Sequence, residues 1–349
     1  MHDQGSACIA VDAMGSDKGP SEMVAAVKLA LEKFPDLDPV IVVGQEEILA
    51  PLLQKEGIEN HPKISLVHAS QIIEMHDKPL QGLKTKKDSS MARAIELVKD
   101  ERAQVVVSCG NTGSLTAIGT IRLRPMPGVE RPALASVMPH KTGHFVLIDA
   151  GANPAAKPEQ ISHNAILGSN YCKIALGMEN PRVGLMTIGT EEGKGNENVN
   201  ATNEILKQLS GIINYSGPIE GFQLFENHVD VVVCDGFTGN IVLKTCESLF
   251  NLLKDFMTEE LGRNPVRGLG YLMSKGAYDA IKNQLKPERY GGAPLLGLNG
   301  NILKAHGSSN REAVMNAIRI GHEIIRKDLN TKIVEDIEKA NAFIYQTAS

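Results

Sequence analysis

The chain of 349 residues contains no tryptophan, and aromatic residues make up only 4% of it. Glycine is plentiful instead, at 33 residues. Together with short apolar runs, this composition points to a loop-rich α/β enzyme rather than a helical scaffold. The five cysteines (Cys8, Cys109, Cys172, Cys234, Cys246) are odd in number, scattered and mostly inside apolar runs. That pattern excludes a disulfide framework and fits free, buried thiols in a reducing compartment. There is no Cys-x-x-Cys pair, and His322-Glu323 does not extend to a His-Glu-x-x-His zinc motif. No Gly-x-Gly-x-x-Gly run occurs, so a dinucleotide fingerprint is missing. No apolar run approaches the roughly 18 residues that would span a bilayer. Met1 to Ala7 is too short and polar for a signal peptide, so a cytoplasmic location is expected. The net charge of −5 argues against a general nucleic-acid binder. Repeats, low-complexity stretches and long linkers are also lacking.

What is present is an alternation of short apolar strands and amphipathic helices. Cys8–Val11, Val40–Val43, Ile64–Val67, Gln104–Cys109, Phe145–Ile148, Val183–Ile188 and Val229–Cys234 read as strands. Val24, Val27, Leu31 and Phe34 recur at helical spacing after the first of them. A second helix follows over Glu46–Gln54, and Met91, Ile95 and Val98 mark another, capped by Asp88 or Ser89. This rhythm predicts an α/β/α sandwich around a mostly parallel sheet.

Several strands end in loops rich in Gly, Asn, Asp and Thr. The most pronounced is Gly189-Thr190-Glu191-Glu192-Gly193-Lys194-Gly195-Asn196-Glu197, between an apolar strand and a helix over Glu197–Leu209. Glycines let the backbone approach a ligand, a helix N-terminus offers free N–H groups, and a lysine adds a point charge. The spacing is not that of a nucleotide P-loop. Three residues separate Gly189 from Gly193-Lys194 where four are required, and Gly195 stands where Ser or Thr belongs. A tight β–α turn with a solvated lysine is the plainer reading. Asp12 to Pro20, Gly110-Asn111-Thr112-Gly113-Ser114, Asp149-Ala150-Gly151-Ala152-Asn153 and Asp235-Gly236-Phe237-Thr238-Gly239-Asn240 are loops of the same kind. In open α/β sheets the carboxyl edge of the strands is where ligands bind. The set predicts an enzyme for a polar, phosphate-bearing ligand.

Glu74–Lys87, with Pro79, Gly82 and Lys84, Lys86 and Lys87, reads as a long loop, either a solvated basic turn or a cover over an anionic substrate. Asn240–Leu261 is the longest helical pattern, with Val242, Cys246, Leu249, Leu253 and Phe256 on one stripe. A second helix runs from about Pro265 to Leu285. Leu261–Arg289 holds six basic residues (Arg263, Arg267, Lys275, Lys282, Lys286, Arg289) against Asp279 and Glu288. Basic charge beside Val266, Leu269, Tyr271, Leu272 and Met273 suits a membrane surface or an acidic partner. A helical hairpin packed in the protein or dimer core is the other reading. Gly291–Gly297 reads as too rigid and Gly-rich for a strand centre. A strand near Ile302 leads to His306-Gly307-Ser308-Ser309, a helix capped by Ser308 or Ser309 follows, and a last helix runs from Lys332 to about Tyr345.

These motifs, in this order, resemble from end to end the acyl-carrier-protein:phosphate acyltransferase of bacterial phospholipid synthesis, the PlsX family. The resemblance rests on Val11-Asp12-Ala13-Met14-Gly15, Lys87-Asp88-Ser89-Ser90-Met91, Gly110 to Gly113, Asp149 to Asn153, Lys157-Pro158-Glu159, Gly189 to Glu197, Cys234 to Asn240, Gly291 to Gly297 and His306 to Ser309. Two stretches depart from it. Ser16 and Lys18 stand where the family usually has Gly and His, and Phe222-Gln223 where an Arg-Asp pair is common.

The resemblance implies a fold similar to isocitrate and isopropylmalate dehydrogenases and to phosphotransacetylases. It implies one unit over 1–349 of two interleaved α/β subdomains, with a helical hairpin over 240–289 for dimer or membrane contact. The implied reaction moves a long acyl chain from acyl carrier protein to inorganic phosphate and needs no metal or other cofactor. The implied enzyme is a cytoplasmic homodimer that touches the membrane peripherally and meets a downstream glycerol-3-phosphate acyltransferase. Phosphate is itself a nucleophile, so no Ser-His-Asp or Cys-His triad is required, and none is evident. Lys194, His306 and Asn240 are then the expected catalytic residues. Asp12, Gly15, Asn111, Thr112, Gly113, Asn153, Gly195, Asn196, Asp235, Thr238 and Gly239 are expected to form the phosphate and substrate site, with Asp12 and Asp235 orienting loops. Two other functions compete. A decarboxylating dehydrogenase would need a cluster of Asp metal ligands and a nicotinamide pocket, and neither signature is present. A membrane-bound organiser without chemistry would not need the loops at Lys194, Asn111 and Asn240.

Overall fold

The computed structural model describes residues 7–191, 193–285 and 292–345. Glu192, Lys286, Glu288, Arg289 and Gly291, used in the reading above, lie outside the described residues. The elements alternate as expected at first: β1 (Ile9–Asp12), α1 (Pro20–Lys33), β2 (Val40–Gly44), α2 (Glu46–Glu56), β3 (Ile64–His68), α3 (Pro79–Thr85), α4 (Ser90–Lys99), β4 (Val105–Ser108) and α5 (Thr112–Leu123). A hairpin, β5 (Ala133–His140) and β6 (Gly143–Ile148), leads into α6 (Pro158–Ala175), β7 (Arg182–Thr187), α7 (Glu197–Gln208), β8 (Asn214–Glu220) and β9 (Val231–Val233). The long α8 (Gly236–Gly262) and α9 (Pro265–Leu285) follow. The chain closes with β10 (Ala293–Leu296), β11 (Asn301–Lys304), α10 (Arg311–Arg326) and α11 (Leu329–Ile344).

All eleven strands join one sheet, in the order β3-β2-β1-β4-β11-β10-β5-β6-β9-β7-β8. Within each half the pairs are parallel, as a βαβ rhythm dictates. The halves meet through antiparallel pairs at β11–β10, β10–β5 and β5–β6. Three reversals leave β6, β9, β7 and β8 running opposite to β1, β2, β3, β4 and β11. The Gly-rich loops therefore leave opposite edges of the sheet rather than one. The strands between those edges are short, however. Four residues of β11 cover only about 13 Å at 3.3 Å per residue.

Alternation of side chains across the pleat builds the layers. Val11, Val146, Ile148, Val231 and Leu303 face a core shared with α1, α6, α10 and α11. Ala10, Val106, Ile302 and Leu295 face α4 and α5 on the other side, and Phe145, Leu147 and Val232 face the start of α8 there. Leu243 of α8 packs against both of these clusters, so this helix lies along the junction of the halves.

Local differences from the sequence reading have physical causes. Pro79 opens a helix because its fixed φ suits the first turn and its missing N–H would be unpaired there anyway. Gly292 and Gly297 flank a strand rather than fill it. Gly292 and Gly297 have φ of 87° and 88° and make the turns at its two ends. Ser89 caps α4 by accepting from Ala92 N. The cap of α10 is Asn310, which accepts from Ala313 N at 2.9 Å, rather than Ser308 or Ser309.

Gly239 sits where α8 crosses the end of β6, and a Cβ there would collide with the Asp149 carbonyl oxygen. Gly239→Ala is expected to lower stability by about 2–3 kcal/mol. Gly270→Ala, on exposed α9 with open space around it, is expected to raise stability by up to ~1 kcal/mol. Urea midpoints of the two variants against wild type check both.

Candidate active site

The loops after β6, β9 and β7 leave neighbouring parallel strands side by side. The first is organised by Asp149, which is fully buried. Its carboxyl group accepts from Leu134 N (3.0 Å), Gly151 N (3.0 Å), Ala152 N (2.8 Å), Asn153 N (2.7 Å) and Asn153 Nδ2 (3.2 Å). Burial pushes its pKa up, and the backbone N–H groups oppose that rise. The second loop is tied to the first by Gly236 N, which donates to Asn153 O at 2.9 Å. Asp235 caps α8, accepting from Phe237 N and Thr238 N at 2.9 Å each and from Thr238 Oγ1 at 2.7 Å. Asn240 lies against Gly151, whose φ of 134° brings the backbone close. Its exposed amide has no hydrogen-bond partner among the described residues.

The third loop carries Lys194. Asn198 Nδ2 donates to Ala156 O at 3.1 Å and fastens this loop beside the one that follows β6. Gly193 and Gly195 have φ of 80° and 99°, conformations that L side chains rarely adopt. Asn196 accepts from Val199 N at 2.9 Å and caps α7. The Lys194 side chain is exposed and has no ion-pair partner among the described residues. Thr187 Oγ1, beneath Gly195, is buried without a hydrogen-bond partner. Lys194, Asn153, Asp235 and Asn240 thus stand on three adjacent loops, and Asn240 offers donors that no group among the described residues uses.

A second cluster forms where β1, β4 and β11 end. Asp12, fully buried, accepts from Ser108 Oγ at 2.7 Å, and Ser108 Oγ accepts from Gly110 N at 3.0 Å. Burial pushes the Asp12 pKa up against the bonds from Ser90 and Ser108. Gly15 packs on Gly110, with no room for a Cβ between them. Asn111 caps α5 through Ser114 N, and its amide donates to Met75 O at 2.6 Å and Asp77 O at 3.2 Å. Its side chain therefore fixes loops, and the N–H groups of Thr112 and Gly113 are what remains for a ligand. His306 is exposed, with Nδ1 2.9 Å from Ser308 Oγ. His306 follows β11, four strands from β9 and five from β7. At about 4.8 Å per strand that is roughly 19–24 Å, so His306 and Lys194 follow strands that lie well apart in the sheet.

Sequence reading missed Lys304. It is only 9% exposed, and its ammonium donates to Cys109 O at 3.3 Å and to Ala305 O. The available signal was a lysine directly after the apolar Ile302-Leu303, at the end of a strand too short to have an outer face. Lys244, one turn beyond Asn240, was likewise absent from the expected site. The thiols add no nucleophile here. Burial pushes Cys109 up to about 12 and also raises Cys234 well above its ordinary value.

Residues 7–332 match the family described as "Fatty acid synthesis protein". A phosphate acyltransferase of Halothermothrix orenii is 40% identical over 331 residues, covering 95% of this chain and 98% of that protein. A phosphate acyltransferase of Geobacter sulfurreducens is 40% identical over 330 residues, covering 95% and 94%. A phosphotransacetylase from Streptococcus pyogenes superposes with a TM-score of 0.61 at 16% identity, covering 92% of this chain and 94% of that one. That likeness is one of fold.

Asp235→Ala removes the acceptor for two N–H groups at the start of α8 and is expected to cost about 1–2 kcal/mol. Asp235→Asn, whose amide oxygen still accepts, is expected to keep most of that stability. Urea denaturation distinguishes them.

Proposed function

Because the chain belongs to the family of phosphate acyltransferases, we propose that its acyl donor is the thioester of acyl carrier protein and its product a long-chain acyl phosphate. The observation that carries this reading is the meeting of the Lys194, Asn153 and Asp235–Asn240 loops. An oxygen of inorganic phosphate attacks the thioester carbonyl carbon, forming a C–O bond and a tetrahedral oxyanion. The C–S bond then breaks, its electron pair leaves on sulfur, and the thiolate takes a proton from solvent. Lys194 neutralises charge on phosphate or on the oxyanion, and the Asn240 amide donates to it. Gly195 and Asn196 bring the first N–H groups of α7 to the same place. Thr238 and Gly239 shape the turn that presents Asn240. Asp12 and Gly15 hold the second cluster together, and His306 acts at that far end rather than beside Lys194. Exposed Ile188, Phe237 and Ile241 belong to the same elements and offer apolar surface to an acyl chain.

The hairpin supports peripheral membrane contact. Val266 (80% exposed), Leu269 (60%) and Met273 (84%) lie on α9 with no cover. Among the described residues no helix is long and apolar enough to cross a membrane. The basic charge is weaker than the sequence suggests, since Arg263 and Arg267 both pair with Glu260. Apolar insertion therefore carries more of the contact than anionic lipid does. Leu249, Leu252, Leu253 and Phe256 of α8, also exposed, fit a homodimer contact. In this reading the enzyme is cytoplasmic, works against the membrane surface and hands its product to the glycerol-3-phosphate acyltransferase that follows.

Phosphate-dependent release of thiol from palmitoyl-acyl carrier protein, with hydroxylamine trapping of the product, tests the reaction. Lys194→Ala is expected to lose about 10²–10³-fold in kcat, and Asn240→Ala about as much, with unchanged circular dichroism. Thiol release by wild type without phosphate, or none at all, refutes the reading. Separately, serine at Leu269, Leu272 and Met273 should abolish flotation with liposomes while activity in solution persists. Unchanged flotation would remove the hairpin as the membrane contact.

A further inference from the structure

The chain between β3 and α4 crosses the start of α5 as a strap. Its two ends meet in a neck. Gln71 N donates to Asp88 O and Ser90 N to Gln71 O, both at 3.1 Å, and Asp88 Oδ2 accepts from Ser70 N at 3.0 Å. Arg93 of α4 holds the other oxygen of Asp88. Between these ends, residues 72–87 are braced on themselves. Asp77 Oδ2 accepts from Glu74 N at 2.8 Å and pairs with Lys86 Nζ, which ties the two arms of the strap together. A segment pinned at a neck and braced inside can swing as one piece. Its tip lies on the second cluster. The Asn111 amide donates to Met75 O at 2.6 Å and Asp77 O at 3.2 Å. Pro79 rests on Gly113 so closely that a Cβ there would meet its ring at 2.7 Å. Met75 Cε fills the space that a Cβ on Gly307 would need, in the loop after β11. Gly82 faces Ser114, whose Oγ would lie 3.6 Å from a Cβ on that glycine. Ser114 is the third residue of α5, and helical side chains lean toward the N-terminus. Its hydroxyl is buried and has no hydrogen-bond partner among the described residues. The first N–H groups of α5, at Thr112 and Gly113, lie under the same cover. These are donors that lack an acceptor, and while Pro79 stays on Gly113 none can enter.

We propose that residues 72–87 are a gate, latched shut by the Asn111 amide, that swings off α5 to let a phosphate group reach Thr112 N, Gly113 N and Ser114 Oγ. The closed strap and the ligand exclude each other, so the latch sets how often the cluster is open. Asn111 acts on the ligand through the strap and is a positioning residue. A helix N-terminus with an orphaned hydroxyl suits an oxyanion, and the exposed Lys78, Lys84 and Lys87 of the strap draw one to its edge. Two sources share this chemistry: inorganic phosphate, and the phosphate group of the pantetheine arm that carries the thioester. The second source rests on the acyl-carrier-protein reading above; the gate itself does not.

The test is amide hydrogen exchange of the full-length protein, read by mass spectrometry. Asn111→Ser keeps an oxygen that can cap α5 but is too short to reach the carbonyls of Met75 and Asp77. It is expected to speed exchange within 72–87 by about tenfold or more, with peptides from α4 and α5 unchanged. A purely structural Asn111 would loosen α5 together with the strap, and that result counts against the latch. In wild type, inorganic phosphate or pantetheine 4′-phosphate in excess is expected to speed exchange within 72–87 by about threefold or more, and pantetheine to leave it unchanged. The rise should persist in Lys194→Ala, which separates it from binding at the other loop. A rise with inorganic phosphate assigns the gate to the free substrate; a rise confined to pantetheine 4′-phosphate assigns it to the carrier arm. Exchange in the strap that is slowed or unmoved by both phosphate compounds, or an Asn111→Ser strap as protected as wild type, overturns the proposal. The ligand measurement needs no variant and no turnover, so absence of acyl transfer would refute the proposed reaction without touching this result.

Discussion

The carboxyl group of Asp149 is the contact on which the candidate site depends. It takes five N–H donors from three consecutive loop residues, one of their side chains and the first turn of β5. A buried acid is costly to ionise, and only such a set of donors makes the site tolerable. The loop it shapes then holds Gly236 through Asn153 O and leaves a slot that only glycine at 239 fits. That fixes where α8 begins and hence where Asn240 points. The candidate site groups are thus positioned by groups that are themselves engaged in hydrogen bonds. Asp149, Asp235 and Asn111 spend their hydrogen bonds on the loops around them, while the Lys194 and Asn240 side chains have no hydrogen-bond partner among the described residues.

This division explains what the sequence revealed. Strands and helices with a clear period, such as β1, α1, β7, α7 and α8, were legible because apolar residues recur along them. The loops were legible because residues that bend the chain or cap a helix are few in kind. Gly195, Asn196 and Asp235 all occupy such positions. β8 was not legible. Asn214–Glu220 contains Gly217 and Pro218, which a central strand would reject and an edge strand tolerates. Nor was the reversal of strand direction between the halves, because it arises from β5 and from β10, a strand hidden between two glycines. Without that reversal the five loops look like one edge, and His306 looks like a neighbour of Lys194. Lys304 and Lys244 escaped for the opposite reason: lysines are usually solvated, and only the fold shows one of them enclosed.

The helix α8 therefore has two duties. Its first turns join the loop clusters of both halves, and its later turns, with α9, stand exposed and apolar. A contact on the outer part of this helix bears on the same rigid rod that carries Asn240 and Lys244. In the proposed reading, chemistry and surface attachment are separated by position along a helix, not by domain.

The place of β11 also governs how the protein is made. Its partner β4 ends at Ser108, yet β11 begins at Asn301, so about 190 residues must be synthesised before that pair can close. At roughly 5–20 residues per second this is about 10–40 s. Throughout that interval β4 presents an open, fully apolar edge of Val105, Val106 and Val107 to the surroundings. Emergence from the ribosome, rather than the stability of the finished sheet, is when this chain is most exposed to wrong strand pairing, because β1 pairs only with the other edge of β4.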